Sequence, residues 1–249
     1  MIPISDRIFF FKRRKPIIIY CLIGINIGLF LWELTLELGG TLGSFVNSWG
    51  VVPAQISAAF ANALAGNPAA WIVVLKGLTS LLVGMFLHGS FSQILGNLIF
   101  LWVFGKTIES VLGYRKFLVF YLVSGILTGF IQILAEPSLT VPLIGANGVI
   151  TAILGAYVFK FAKAKIDTIL PLLIVFIPIQ LPAYFYLFWW FVQQVFYGIG
   201  ILSIPGGLNF NSIAYWAHGV GMAIGGVIML TTRGFRQDLR LSKSSRVKR

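Results

Sequence analysis

The stretch Leu143-Ile144-Gly145-Ala146-Asn147-Gly148-Val149 decides how the chain is read. It opens an apolar segment that runs to about Phe161. Gly145, Ala146 and Gly148 leave the backbone almost bare, so a second helix can approach closely. The amide of Asn147 then falls near a helix N-terminus. A polar side chain in so apolar a run must be partnered or functional, because burying an unpaired amide is costly.

The surroundings of this segment fix its class. Of 249 residues, 58% are hydrophobic and only 10% charged, whereas a soluble domain carries about 25% charged residues. Long apolar runs with so few charges place the chain among helical membrane proteins. Cys21 is the only cysteine, so no intrachain disulfide is available.

The net charge of +12 is distributed by topology. Eighteen of the nineteen Lys and Arg residues fall in four clusters: Arg7 to Lys15, Lys106 to Lys116, Lys160 to Lys165, and Arg233 to Arg249. Only Lys76 lies elsewhere. With six spans all four clusters share one face of the membrane, the positive-inside pattern, and both termini are expected to be cytoplasmic. The basic tail reads as topology plus attraction to anionic lipid. No aromatic-interleaved platform accompanies it, which argues against nucleic acid as a partner.

Residues 1–15 are expected to form a basic cytoplasmic arm, 16–231 a six-helix membrane domain, and 232–249 a basic cytoplasmic tail. No small-residue cleavage site follows the arm, so the first helix is read as uncleaved. The spans are expected at 16–36, 91–105, 116–134, 145–161, 183–199 and 212–230. The long first loop, 37–85, is apolar enough to lie in the membrane interface as short amphipathic helices, with Trp49 and Trp71 at that depth. Residues 168–182 are apolar but carry Pro171, Pro178 and Pro182, and read as a connection that re-enters or returns.

His88 and His218 are the only histidines. On this topology His88, Asn147 and His218 share a depth near the non-cytoplasmic side. Gly221 and Gly225 follow His218 on one helix face, and Gly148, Ala152 and Gly155 offer a matching small face. Packing of the two would bring His218 within hydrogen-bonding range of Asn147.

These residues resemble the rhomboid intramembrane serine proteases. The resemblance rests on His88 with Asn97, Gly145-x-x-Gly148, and Ala217-His218 with Gly221 and Gly225. It extends to Gly50-Val51-Val52-Pro53, Phe86 to Gly89, Trp102 to Gly105, Glu109 with Gly113, Pro182-Ala183 and Trp190. It implies an all-α, six-transmembrane-helix bundle with a long interfacial first loop. It also implies His218 as general base, and an oxyanion hole built from Asn97 and the span-two histidines. Two positions depart from that pattern. The nucleophile position holds Asn147, and the histidine position four residues before Asn97 holds Gln93. His88 occupies the other recurrent histidine position.

An amide carries no removable proton of useful pKa and cannot form the acyl ester, so the first departure removes nucleophilic catalysis. The second is milder, because a glutamine N–H still donates. Thr151, one turn below Asn147, is the one nearby hydroxyl, but threonines in membrane helices mostly bond their own i−4 carbonyl.

The expected partners are therefore the lipid bilayer and transmembrane segments of client membrane proteins, bound with little or no proteolysis. The alternative is an active rhomboid serine endopeptidase. A plainer reading makes Asn147 and Asn97 interhelical hydrogen-bond partners and assigns Gly145, Gly148, Gly221 and Gly225 to helix packing. No cofactor is expected. No metal site is expected either, since two histidines without a nearby Cys, Asp or Glu fall short of three ligands. The short tails and compact layout look like a bacterial cytoplasmic-membrane protein. A transporter is disfavoured, since neither a mid-span acid nor an inverted repeat is visible.

Overall fold

The computed structural model describes residues 1–8, 15–172, 175–199 and 212–231. Residues 9–14 of the basic arm, the 200–211 loop and the basic tail lie outside the described residues.

The order of elements is β1 (Ile2–Asp6), α1 (Ile17–Leu38), α2 (Leu42–Trp49), α3 (Pro53–Leu64), α4 (Ala70–Gly84), α5 (Phe91–Phe100), a π-helical turn (Leu101–Gly105), α6 (Lys106–Leu112), α7 (Tyr114–Ala135), α8 (Asn147–Phe161), β2 (Lys165–Leu172), β3 (Val175–Pro182), α9 (Ala183–Ile199) and α10 (Ser212–Thr231). Three continuous helices are long and apolar enough to cross a membrane: Ile17–Leu38, Phe91–Leu112 and Tyr114–Ala135. The second continues one helix further than the expected 91–105, because the π turn carries α5 into α6 without a break. Ala70–Gly84 and Asn147–Phe161 are shorter apolar helices, as are Ala183–Val192 and His218–Thr231.

The hub is α8. Its residues from Val149 to Tyr157 are all buried. A helix apolar on every side must be surrounded on every side. Here α7 and α10 flank it, α9 and the π turn approach it, and Phe104 closes edge-on against Tyr157 with ring centroids 4.9 Å apart.

Two expectations are corrected. The long first loop holds three helices, α2 to α4, of which α4 at 15 residues is longer than the short amphipathic helices expected. The fold is also not purely α. The N-terminal residues and the 165–182 connection form an antiparallel sheet in the order β1-β2-β3. Residues 168–182 are therefore part of a hairpin in which Lys165 pairs with Pro182 and Leu172 with Val175. Pro178 and Pro182 fall on β3, an edge strand, where a missing N–H leaves no gap in a central ladder.

Carboxylates tie the described basic clusters to one end of the bundle. Glu109 of α6 accepts the backbone N–H of both Ile18 and Ile19 at 3.0 Å. It thereby supplies the cap that Pro16 cannot give α1. Asp6 of β1 accepts hydroxyl hydrogen bonds from Thr107 of α6 and Tyr157 of α8.

On β2, Asp167 accepts from Arg7 Nε at 3.0 and 3.1 Å and from the Ser5 hydroxyl at 2.9 Å. The Arg7 hydrogen bond holds the Asp167 carboxyl below its ordinary value. A carboxylate so lowered stabilises the folded state above its unfolded pKa of about 3.9. That contribution is lost as pH falls through the folded value. Amide exchange of residues 2–6, corrected for intrinsic rate, should therefore rise at acid pH. Asp167→Asn should reproduce the loosening at neutral pH. The effect should be under about 1 kcal/mol because both side chains reach solvent. Unchanged protection in the variant would remove this pair from the anchoring of β1.

Candidate functional site

Asn147 is the first residue of α8, and Ala146 before it gives no side-chain cap. The approach to it is made by Gly145, whose φ of 111° disfavours any side chain. A methyl group there would also strike the Gln93 amide. The Gly145 N–H donates to the Gly84 carbonyl at 2.9 Å, and Val51 and Leu143 exchange backbone hydrogen bonds of 3.1 and 2.7 Å. The end of α4 and the turn before α3 thus hold the entry to α8.

The start of α5 supplies the opposite wall. Ser90 caps it, its hydroxyl accepting the Gln93 N–H at 3.2 Å. The Gln93 side chain bridges two segments. Its Oε1 accepts the Gly89 N–H at 2.9 Å, and its Nε2 donates to the Ile144 carbonyl at 3.4 Å. One Nε2 hydrogen is left for a ligand.

His88 stands behind this wall. Its Nδ1–H donates to the Phe86 carbonyl at 3.1 Å, which leaves Nε2 to accept from Asn97 Nδ2 at 3.2 Å. Burial lowers the His88 pKa to about 4, against the opposing pull of the Phe86 carbonyl. The ring is therefore neutral near pH 7, as this pair of roles requires. The His88 backbone N–H donates to both Glu33 carboxylate oxygens, at 3.1 and 3.2 Å. Glu33 was not singled out from the sequence. Its only signal there is a carboxylate, followed by Glu37, in the last turns of a largely apolar helix.

Asn97, Gln93, Asn147, Thr151 and His218 line one cleft of about 860 Å³, together with Ser90, Ser92, Ile144 and Trp190. His88 is not among the lining residues and orients Asn97 from behind. His218 is buried, with its ring centroid 5.3 Å from that of Trp190. Trp190 in turn lies 5.9 Å from the Phe100 ring, so an aromatic row runs from α5 across α9 to the histidine. Among the described residues no hydrogen bond joins Asn147 to His218, in contrast to the interhelical bond expected from the sequence. The two line the same cleft.

The helix packing behind the cleft is tighter than the spacing alone implies. A methyl group on Gly225 would overlap the Ala152 carbonyl, and one on Gly155 would overlap Met222. The α carbon of Gly221 faces the Thr151 hydroxyl and the Gly148 carbonyl. Gly148 itself turns its bare side to Thr128 of α7 rather than to α10. Thr151 is buried, and its hydroxyl donates to the carbonyls of Asn147 at 3.0 Å and Gly148 at 2.9 Å.

The chain matches the family described as Rhomboid domain over residues 75–235. It is 25% identical over 162 residues to "Rhomboid protein 1, mitochondrial" of Saccharomyces cerevisiae, covering 63% of this chain and 40% of that protein. It is 31% identical over 92 residues to "Presenilin-associated rhomboid-like protein A, mitochondrial" of Danio rerio, covering 36% and 24%. To "Presenilin-associated rhomboid-like protein, mitochondrial" of Homo sapiens it is 27% identical over 105 residues, covering 41% and 27%. The aligned regions thus span at most two fifths of these curated relatives.

Proposed function

The chain belongs to the rhomboid family, and from that premise we propose that it binds transmembrane segments of client membrane proteins in its cleft with little or no proteolysis. The observation that carries this reading is the cleft wall. It keeps Asn97 and a buried His218, but presents an amide at position 147. Chemistry at a peptide carbonyl needs a nucleophile beside a base. The nearest hydroxyl on α8, that of Thr151, is directed into two backbone carbonyls and faces Gly221. The remaining polar groups suit recognition. Asn97 and Gln93 are donors, and Ser90 and Ser92 can pair with a client backbone that has unwound inside the cleft.

The protein is an integral membrane protein. Six spans remain our reading: the three long helices with α8, α9 and α10, while α4 belongs to the interfacial first loop. Support for one basic face comes from the ties between β1, α6 and α8, and from Glu109 at the start of α1. We assign that face to the cytoplasm. The named relatives are mitochondrial and lend no support to a bacterial cytoplasmic membrane.

The test is a photo-crosslinker placed at Gly96, which lines the cleft and has open space at its α carbon. In liposomes it should capture an intact model transmembrane segment. The wild-type chain should leave that segment uncut and should not label with a fluorophosphonate. Cleavage by the wild type that disappears in His218→Ala would establish the alternative, an active serine endopeptidase, with Ser90 and Ser92 as the first hydroxyls to examine. Absence of any crosslink would remove client binding.

A further inference from the structure

Lys76 is the one basic residue outside the four clusters, and its setting is unusual for a cation. It sits midway along α4, an apolar helix whose Val74, Gly77 and Leu81 are buried. Ile72 and Leu75 on the other side of α4 are 71% and 62% exposed. In a membrane protein such a face meets acyl chains, where an unpaired ammonium is expensive. A lysine there reaches with its stem toward the polar layer.

The structure provides the place it can reach. A small notch between α2, α3 and α4 is lined by Lys76 with Asn47, Ser48 and Gln55, and closed by Gly50 and Ser80. Trp49 and Trp71, both partly exposed, flank these elements at the residue type favoured in the membrane interface. The residues lining the notch carry amide, hydroxyl and ammonium groups and no carboxylate, and the Ser80 hydroxyl donates to the Lys76 carbonyl at 3.2 Å. Among the described residues the only ion pair is Arg7 with Asp167, far from it in sequence. α4 runs on to the His88 turn, which Glu33 holds at the far end of α1 from the Glu109 cap, and α2 of the notch follows that same end of α1. The notch therefore belongs to the leaflet opposite the basic clusters.

We propose that this notch seats a phospholipid headgroup of that leaflet, with Lys76, Asn47 and Gln55 donating to the phosphodiester and the acyl chains lying along Ile72 and Leu75. The donor set matches a phosphate, and the adjoining apolar face distinguishes a lipid-borne phosphate from a free one. Occupancy would brace α4 against α3, and α4 carries the Gly84 carbonyl that holds Gly145. The inference is independent of whether the cleft binds clients.

Native mass spectrometry of the full chain, delipidated and titrated with phosphatidylglycerol, phosphatidylethanolamine or diacylglycerol, tests it. The wild type should retain one phospholipid of either headgroup and no diacylglycerol. Lys76→Gln should weaken retention by about tenfold, the loss of one charge-assisted hydrogen bond. Lys76→Arg should keep it, and Gln55→Leu should weaken it less. An unchanged thermal transition in Lys76→Gln shows that the variant is folded. Equal retention by wild type and Lys76→Gln would overturn the proposal. So would diacylglycerol bound as well as phospholipid, or displacement by inorganic phosphate at its own low concentration.

Discussion

Asn147→Ser should convert a silent chain into a slow endopeptidase, seen as new cleavage of a transmembrane substrate in liposomes and as labelling by a fluorophosphonate. Loss of the nucleophile costs serine proteases on the order of 10⁶ in rate, so even a poorly aligned replacement should exceed background by at least about 100-fold. The surroundings are in place for it. Residue 147 opens α8 on the cleft wall, with the backbone N–H groups of the first helical turn nearby. His218 lines the same cleft. The weak point is the oxyanion hole. Asn97 already donates to His88, and Gln93 donates to the Ile144 carbonyl, so neither amide is fully free for a developing oxyanion. Adding Gln93→His to Asn147→Ser should raise the rate by a further factor of about 10 to 100, below the roughly 100- to 1,000-fold that a whole oxyanion donor is worth, because Gln93 still has one N–H to give. The gain should vanish with His218→Ala in the same background. No cleavage by either variant, with the fold intact, would mean that this cleft lacks more than a nucleophile. The reading of a retained but silent site would then need replacing.

Much of this site was legible because its signals are local and rest on residue type. A polar residue between small ones at the head of an apolar run marks Asn147 whatever the fold. The interval from His218 to Gly221 and Gly225 states which face of α10 must be close to a neighbour. The three long helices follow from apolar runs long enough to cross a bilayer, and the expected bounds 183–199 agree with those of the helix α9. What stayed hidden depends on pairing between distant segments. Residues 168–182 are apolar at almost every position, so no alternation marks them as strands, and three prolines argue against a ladder. Their partner is a five-residue strand at the N-terminus, 160 residues away, joined through Asp167 to Ser5 and Arg7. Glu33 was equally invisible, because its role as acceptor for the His88 backbone exists only once α1 and the α4–α5 turn have met. The missing bond between Asn147 and His218 has the same origin. Small-residue spacing predicts that two helices touch, but not which side chains above the contact pair with each other.

Gly225→Leu should abolish the folded protein, and Gly225→Ala alone should destabilise it by about 3 kcal/mol or more. The glycine sits on α10 where its α carbon faces the Ala152 backbone of α8, so closely that a methyl group would occupy the space of that carbonyl. Rotating a neighbouring side chain gives no relief, because the obstacle is main chain. In the bilayer, helix association depends on this close packing rather than on expulsion of water, so holding α10 away forfeits the contact along its length. Inserting atoms into a packed core typically costs about 1 to 3 kcal/mol, and a backbone obstacle belongs at the upper end of that range or beyond. Gly226 provides the internal comparison. It is the next residue on the same helix, and a methyl group there meets nothing within 4 Å. Gly226→Ala should therefore be neutral or slightly stabilising, since alanine is the better helix former by up to about 1 kcal/mol. Unfolding in detergent, followed by tryptophan fluorescence or by resistance to added protease, separates the two. The same displacement would carry His218 away from Trp190 and open the cleft, so client crosslinking should fall with Gly225→Ala and persist with Gly226→Ala. Equal behaviour of the two alanine variants would show that α8 and α10 do not meet through this face, and the shared cleft between Asn147 and His218 would lose its structural basis.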